Sequence, residues 1–144
     1  MMEEDVVLEL KKIANLMKRT IDQKINIKVT NTQCMILNFI YDNNNRGRVV
    51  YQKDIEDFFE IRRSSVCEIL NGLEKNGLIK RCSCDSDLRI KEIKLEKEAI
   101  DLVFEFREFF DSLKQKIIQN ISKPELETFC LVLKKMRENL EGLC

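Results

Sequence analysis

The chain has 144 residues, 44% of them hydrophobic, which is enough for one globular unit with a real core. Its 25 Lys and Arg balance 25 Asp and Glu, which argues against a polycation that coats nucleic acid regardless of sequence. It has no histidine and only four glycines, which rules out imidazole metal sites, histidine general bases and a glycine-rich phosphate loop.

In chain order, the acidic start MMEEDVV does not read as a signal peptide and no apolar run is long enough to span a membrane, so a cytoplasmic location is expected. Val6, Val7, Leu10, Ile13, Met17, Ile21 and Lys24 then fit a helix with an apolar stripe. Thr30 with Gln33 is a capping-box signature for a second helix through Ile36, Leu37, Phe39 and Ile40, expected to stop in the turn-rich Asp42 to Gly47 run. Arg48 to Tyr51 reads as a short strand. Gln52 to Phe59, with Ile55, Phe58 and Phe59 apolar, is then a supporting helix whose first amides can hold a phosphate near Tyr51 and Gln52.

The segment from Ile61 to Arg89 is the most informative. Val66, Ile69, Leu70 and Leu73 recur at three- and four-residue intervals and form one apolar stripe. Ser64, Cys67, Glu68 and Asn71 repeat on the opposite side, a polar stripe of groove-reading size that is free to bind. Gly77 suits a left-handed C-cap, so the helix over 61–76 ends there. Leu78 to Cys82 and Arg89 to Leu95 read as the strands of a hairpin, with Ser83 to Leu88 as its polar tip. A helix offered to the major groove beside a hairpin carrying Arg89 supplies base-edge reading and a minor-groove contact. Asp87 can pair with Arg89 and pre-aim its guanidinium; the competing reading is an exposed salt bridge that contributes almost nothing. Lys91 on the returning strand extends the basic set. Residues 61–94 hold eight Lys and Arg against five Asp and Glu, while 95–144 hold eight against ten, so the positive excess coincides with this reading head.

Two long helices follow, Glu98 to Asn120 and Lys123 to Leu140, separated at Ser122-Lys123-Pro124-Glu125, where a serine cap, an early proline and a glutamate start the last one. Phe104, Phe106, Phe109, Phe110, Leu113, Ile117 and Ile118 are too many for burial against the reading head alone. With Phe129, Leu131, Val132, Leu133, Met136, Leu140 and Leu143 they suggest a subunit interface, the alternative being a compact monomer whose helices bury the same residues.

Arg62, Arg63, Ser64 and Ser65 opening the helix, the run Leu73-Glu74-Lys75-Asn76-Gly77-Leu78-Ile79, then Asp87-Leu88-Arg89 and Leu95 resemble the pattern of the MarR transcriptional regulators. Thr30, Gln33, Leu37 and Gln52-Lys53-Asp54-Ile55 extend the resemblance upstream, so it covers most of the chain. It implies a mostly α fold with a small β-hairpin wing, a winged helix-turn-helix over 30–95, with N- and C-terminal dimerisation helices over 1–29 and 96–144. It further implies a homodimeric repressor on double-stranded DNA with a near-palindromic operator, released by a small-molecule effector or by thiol oxidation. The DNA-facing set is then Tyr51, Gln52, Arg62, Arg63, Ser64, Ser65, Glu68, Asn71, Asp87, Arg89 and Lys91. Three departures stand out: Glu96 where a capping threonine commonly follows Leu95, the acid Glu68 on the DNA face, and Gly72, which costs the helix roughly 1 kcal/mol relative to alanine.

The six cysteines show neither C-x-x-C nor zinc-ribbon spacing, so no metal site and no cofactor are expected. Cys82 and Cys84 in the wing are redox candidates because Lys80, Arg81 and Arg89 can lower a thiol pKa there, and Cys67 on the DNA face is another. Inert reduced thiols are the competing reading. Cys34 fits the apolar pattern of its helix and belongs to the core. Catalysis is not expected, since no serine or cysteine has a histidine to pair with. A winged-helix module that binds protein instead of DNA is the alternative function.

Overall fold

Helix α1 (Val6–Lys24) carries an apolar stripe, yet Ile21 is its one buried residue among those described. The computed structural model describes residues 5–24, 29–83 and 89–144. Helix α2 (Asn31–Asn45) begins with the anticipated reciprocal cap. The Gln33 N–H donates to the Thr30 hydroxyl at 3.1 Å, and the Thr30 N–H donates to the Gln33 amide oxygen at 3.0 Å. The helix stops within the expected Asp42 to Gly47 run, its last residue being Asn45. The Asn43 side chain donates back to the Phe39 carbonyl at 2.9 Å, and the chain turns away at Gly47, φ +76°. There the Arg48 N–H reaches the Asn43 carbonyl and the Gly47 N–H the Asn44 carbonyl, the paired bonds of a Schellman turn.

Strand β1 (Val50–Tyr51) leads directly into α3 (Gln52–Phe59), where the Asp54 carboxylate accepts from the Tyr51 N–H at 2.9 Å. Helix α4 (Arg63–Lys75) follows. It ends as its glycine predicts: with Gly77 at φ +73°, the Leu78 N–H bonds the Leu73 carbonyl and the Gly77 N–H the Glu74 carbonyl, each at 3.0 Å. This turn aims the chain into β2 (Ile79–Ser83), which pairs antiparallel with β3 (Lys91–Leu95). The wing is therefore not a bare hairpin. β1 adds to the other edge of β3 with Val50 opposite Ile93, giving a three-stranded sheet in the order β1-β3-β2.

Ile36, Leu37 and Ile40 of α2, Ile55 of α3, Val66, Leu70 and Leu73 of α4, and Ile79 and Ile93 of the sheet are all under 2% exposed. They form one core, extended by Ala99 and Val103 of α5 (Lys97–Ile117). Gly72 belongs to this packing. A Cβ there meets the Gln33 amide nitrogen at 3.3 Å, and that side chain is anchored in the α2 cap, so the glycine lets α4 lie close to the start of α2. Glu96, the second departure, stands before α5 and pairs with Lys80 of β2 at 3.7 Å.

The chain divides into two units, Met1–Phe106 and Arg107–Cys144. In the second, α6 (Lys123–Glu141) starts with the capping box read from sequence: the Glu125 N–H donates to the Ser122 hydroxyl and the Ser122 N–H to the Glu125 carboxylate. That bonding holds the Glu125 carboxyl below its usual pKa. No residue of α6 is buried, and Phe129, Leu131, Val132, Leu133, Leu140 and Leu143 are exposed.

Replacing Gly77 by alanine places nothing within 4 Å of the new methyl, so its cost is purely conformational. We expect a loss of about 1 kcal/mol in denaturant unfolding, from the left-handed backbone it imposes. An unchanged midpoint would show that the turn tolerates a side chain.

Candidate nucleic-acid interface

The burial of Val66, Leu70 and Leu73 dictates which side of α4 faces out. Ser64, Glu68 and Asn71 are exposed there, while Ser65 and Cys67 are half-buried at its edges. Arg62 is the N-cap residue and makes no capping bond through its side chain; Arg63 opens the first turn, which holds no acid. Two cations at the positive end of the helix macrodipole are unfavourable for the helix by itself and favourable for an anion brought to it.

Beside this helix end lies a cleft of about 530 Å³. Its walls bring together Tyr51 and Gln52 from the start of α3, Arg63 from α4, and Arg89 and Lys91 from the wing, five of the residues singled out in the sequence. Arg81, Lys53, Glu56, Ile90 and Ile93 complete the lining, so five cations face one carboxylate. Lys53 and Glu56 were not among the site residues read from sequence, although Glu56 lies four residues after Gln52 and three after Lys53, a spacing that puts it near both on α3. Lys53 pairs with Asp57 at 3.0 Å, which raises its pKa. A second cleft, about 700 Å³, mixes Arg46 and Arg48 with Asp42, Asp54 and Asp57 beside Phe39 and Phe58, so it has no single sign.

Arg62, Ser64, Ser65, Glu68 and Asn71 do not line the basic cleft; they follow the outer face of α4 next to it. Asp87 and Cys84 lie outside the described residues, as does the anticipated Asp87–Arg89 pair.

Two electrostatic expectations need correction. Arg81 does not serve Cys82: side chains alternate along β2, so the two leave opposite faces. The Arg81 guanidinium turns to α4, where Nε meets Glu74 Oε2 at 3.1 Å and a terminal nitrogen meets Glu74 Oε1 at 3.4 Å. It also donates to the Asn71 amide oxygen. The polar stripe of α4 is therefore engaged at Asn71 and not wholly free. The pairing pushes the Arg81 pKa up and holds the Glu74 carboxyl below its ordinary value. Cys34, by contrast, is a core thiol, with a pKa raised by burial to about 11. Among the described residues no group of three or more His, Cys, Asp or Glu is placed to hold a metal ion, and no helix is long and apolar enough to cross a membrane.

Helices α3 and α4 followed by an antiparallel wing define a winged helix-turn-helix protein. A family model described as MarR family matches residues 27–90. The structure of Staphylococcus aureus MepR in complex with DNA is similar at 30% identity and a TM-score of 0.87, covering 96% of this chain and 99% of that one. The same regulator in its DNA-binding conformation matches at 30% identity and 0.79, over 93% and 97% of the two chains. The transcription regulator MarR of Oenococcus oeni PSU-1 matches at 28% identity and 0.76, over 93% and 99%. The chain belongs to the MarR family.

Because Glu74 binds its proton less readily in the folded chain than in the unfolded one, its ion pair contributes stability that is complete above the unfolded pKa of about 4.3 and is lost as pH falls through the lower folded value. Glu74→Gln is therefore expected to be less stable than the parent at pH 7, with the gap closing as the pH falls through the folded value. Thermal unfolding of both across that range measures the difference, and a gap that persists in acid rules out the ion pair as its source.

Proposed function

We propose that this chain is a sequence-specific DNA-binding transcriptional regulator that works as a homodimer in the cytoplasm and has no enzymatic activity. One observation carries the reading: a chain of zero net charge gathers Lys53, Arg63, Arg81, Arg89 and Lys91 around one cleft, next to the exposed polar face of α4. Clustering of this kind suits a phosphate backbone. The MepR structure solved with DNA supports the same reading by likeness.

In this reading, residues 30–95 form the DNA-binding region and 1–29 with 96–144 the dimerisation region. Tyr51, Gln52, Arg62, Arg63 and Lys91 take phosphates. Ser64, Ser65, Glu68 and Asn71 face base edges, where a glutamate can accept from a cytosine amino group. Arg89, with Asp87, serves the wing contact. The exposed apolar residues Val6, Val7, Leu8, Ile13 and Leu16 of α1, and Phe129, Leu131 and Leu133 of α6, suit burial in a two-fold partner. Two reading helices so related meet half-sites about 10 bp apart on a near-palindromic operator. Repression is the family default, and release follows when a small ligand, or oxidation at Cys67, Cys82 or Cys84, favours a different spacing of the two helices.

Footprinting on the DNA flanking the coding region is expected to protect an inverted repeat, with affinity falling steeply as salt rises. Salt-independent binding, or none, favours the alternative of a protein-interaction module. Arg89→Ala is expected to weaken operator binding by about 1 to 3 kcal/mol, and equal binding by the variant would remove the wing from the interface. Leu131→Glu is expected to yield monomers in analytical ultracentrifugation and to lower operator affinity; a stable dimer would place the subunit contact elsewhere.

A further inference from the structure

We infer that Arg81 is a positioning residue that decides what Asn71 can read, an inference that rests on the DNA-binding reading and deepens it. Cys67, Asn71 and Glu74 lie on one ridge of α4, spaced four and three residues apart. Arg81 crosses from β2 to this ridge. Its fork takes both oxygens of Glu74, at 3.1 and 3.4 Å, and its terminal nitrogen also donates to the Asn71 oxygen. The Arg81 side chain is only 19% exposed, against 43% for Glu74, so the contact is a partly sheltered joint between wing and helix and not a loose surface pair.

The chemistry of the joint is one-sided. A guanidinium has only donors, so the Asn71 amide turns its oxygen to Arg81; its nitrogen donates one hydrogen to Cys67 Sγ at 4.0 Å and keeps the second for a ligand. An asparagine that reads adenine bidentately needs both ends, the oxygen accepting from N6 and the nitrogen donating to N7. Here the oxygen is engaged within the protein. Asn71 is thus presented as a donor, suited to acceptor edges such as guanine N7 and O6 or thymine O4. The same joint ties the wing to the helix, so both reading elements approach the duplex at one angle.

Arg81→Lys separates charge from geometry, since lysine keeps the cation and loses the planar fork. Parent and variant are compared by fluorescence anisotropy at several salt concentrations, on the footprinted operator, on that operator with each base pair substituted in turn, and on an unrelated duplex. The expected result is that operator affinity falls about 10-fold further than affinity for the unrelated duplex, and that preference is lost at one base position. Asn71→Asp is the companion, because it keeps an acceptor for Arg81 and removes the outward donor. It is expected to lose preference at that same position without loss of thermal stability. The inference is overturned if Arg81→Lys keeps the parent's ratio of operator to unrelated affinity, if it loses both duplexes equally, or if the two variants affect different positions. A parent protein that binds no duplex overturns the DNA-binding reading itself, which is a separate outcome.

Discussion

Three side chains on one face of α4 govern the orientation of everything else in the reading head. Val66, Leu70 and Leu73 are fully buried against α2 and the sheet, and full burial of such side chains is worth about 1.5 to 3 kcal/mol each. Turning the helix by a single residue about its axis would carry them toward solvent and push polar neighbours into the core. The outward display of Ser64, Glu68 and Asn71 is therefore enforced from the inside. Gly72 allows the close approach to α2, and the Gly77 turn fixes where the wing begins, so the same helix positions both elements that face the proposed duplex.

Charge is organised by the same packing. In a chain with equal numbers of acids and bases, two of the cations that line the basic cleft are braced by acids outside it: Asp57 holds Lys53 and Glu74 holds Arg81. The Lys53–Asp57 pair is largely exposed and adds little to stability, whereas Arg81 is the sheltered member of its pair. Their effect is on direction, restricting long flexible cations so that the positive field points one way. The basic end of α4 works alike, being mildly unfavourable alone and suited to an anion.

The legible parts of the fold were those set by local chemistry. Capping boxes at Thr30 and Ser122, the glycine stop at Gly77, and the bounds of α3 depend on residues within one turn of each other, and each appeared where the pattern put it. The turn-rich run from Asp42 to Gly47 also ended its helix as read, with the last helical residue at Asn45 and the left-handed turn at Gly47. Of the candidate site, Tyr51, Gln52, Arg63, Arg89 and Lys91 were found from motif and charge, and the structure brings them to one cleft. Arg81 reads from sequence only as a neighbour of the wing cysteines, since its partners Glu74 and Asn71 depend on how β2 packs beside α4.

By itself, then, the sequence determined which segments are helices, where the capped ones start, which faces are apolar and which stretch carries the basic excess. All of these follow from short-range periodicity and capping. Only the tertiary structure decided that β1 joins the wing as a third strand, that Lys53, Glu56 and Arg81 enter the basic cleft, and that Arg81 occupies the oxygen of Asn71. Each of those depends on residues brought together across a turn or a sheet, where a register shift of one position reverses the face on which a side chain emerges.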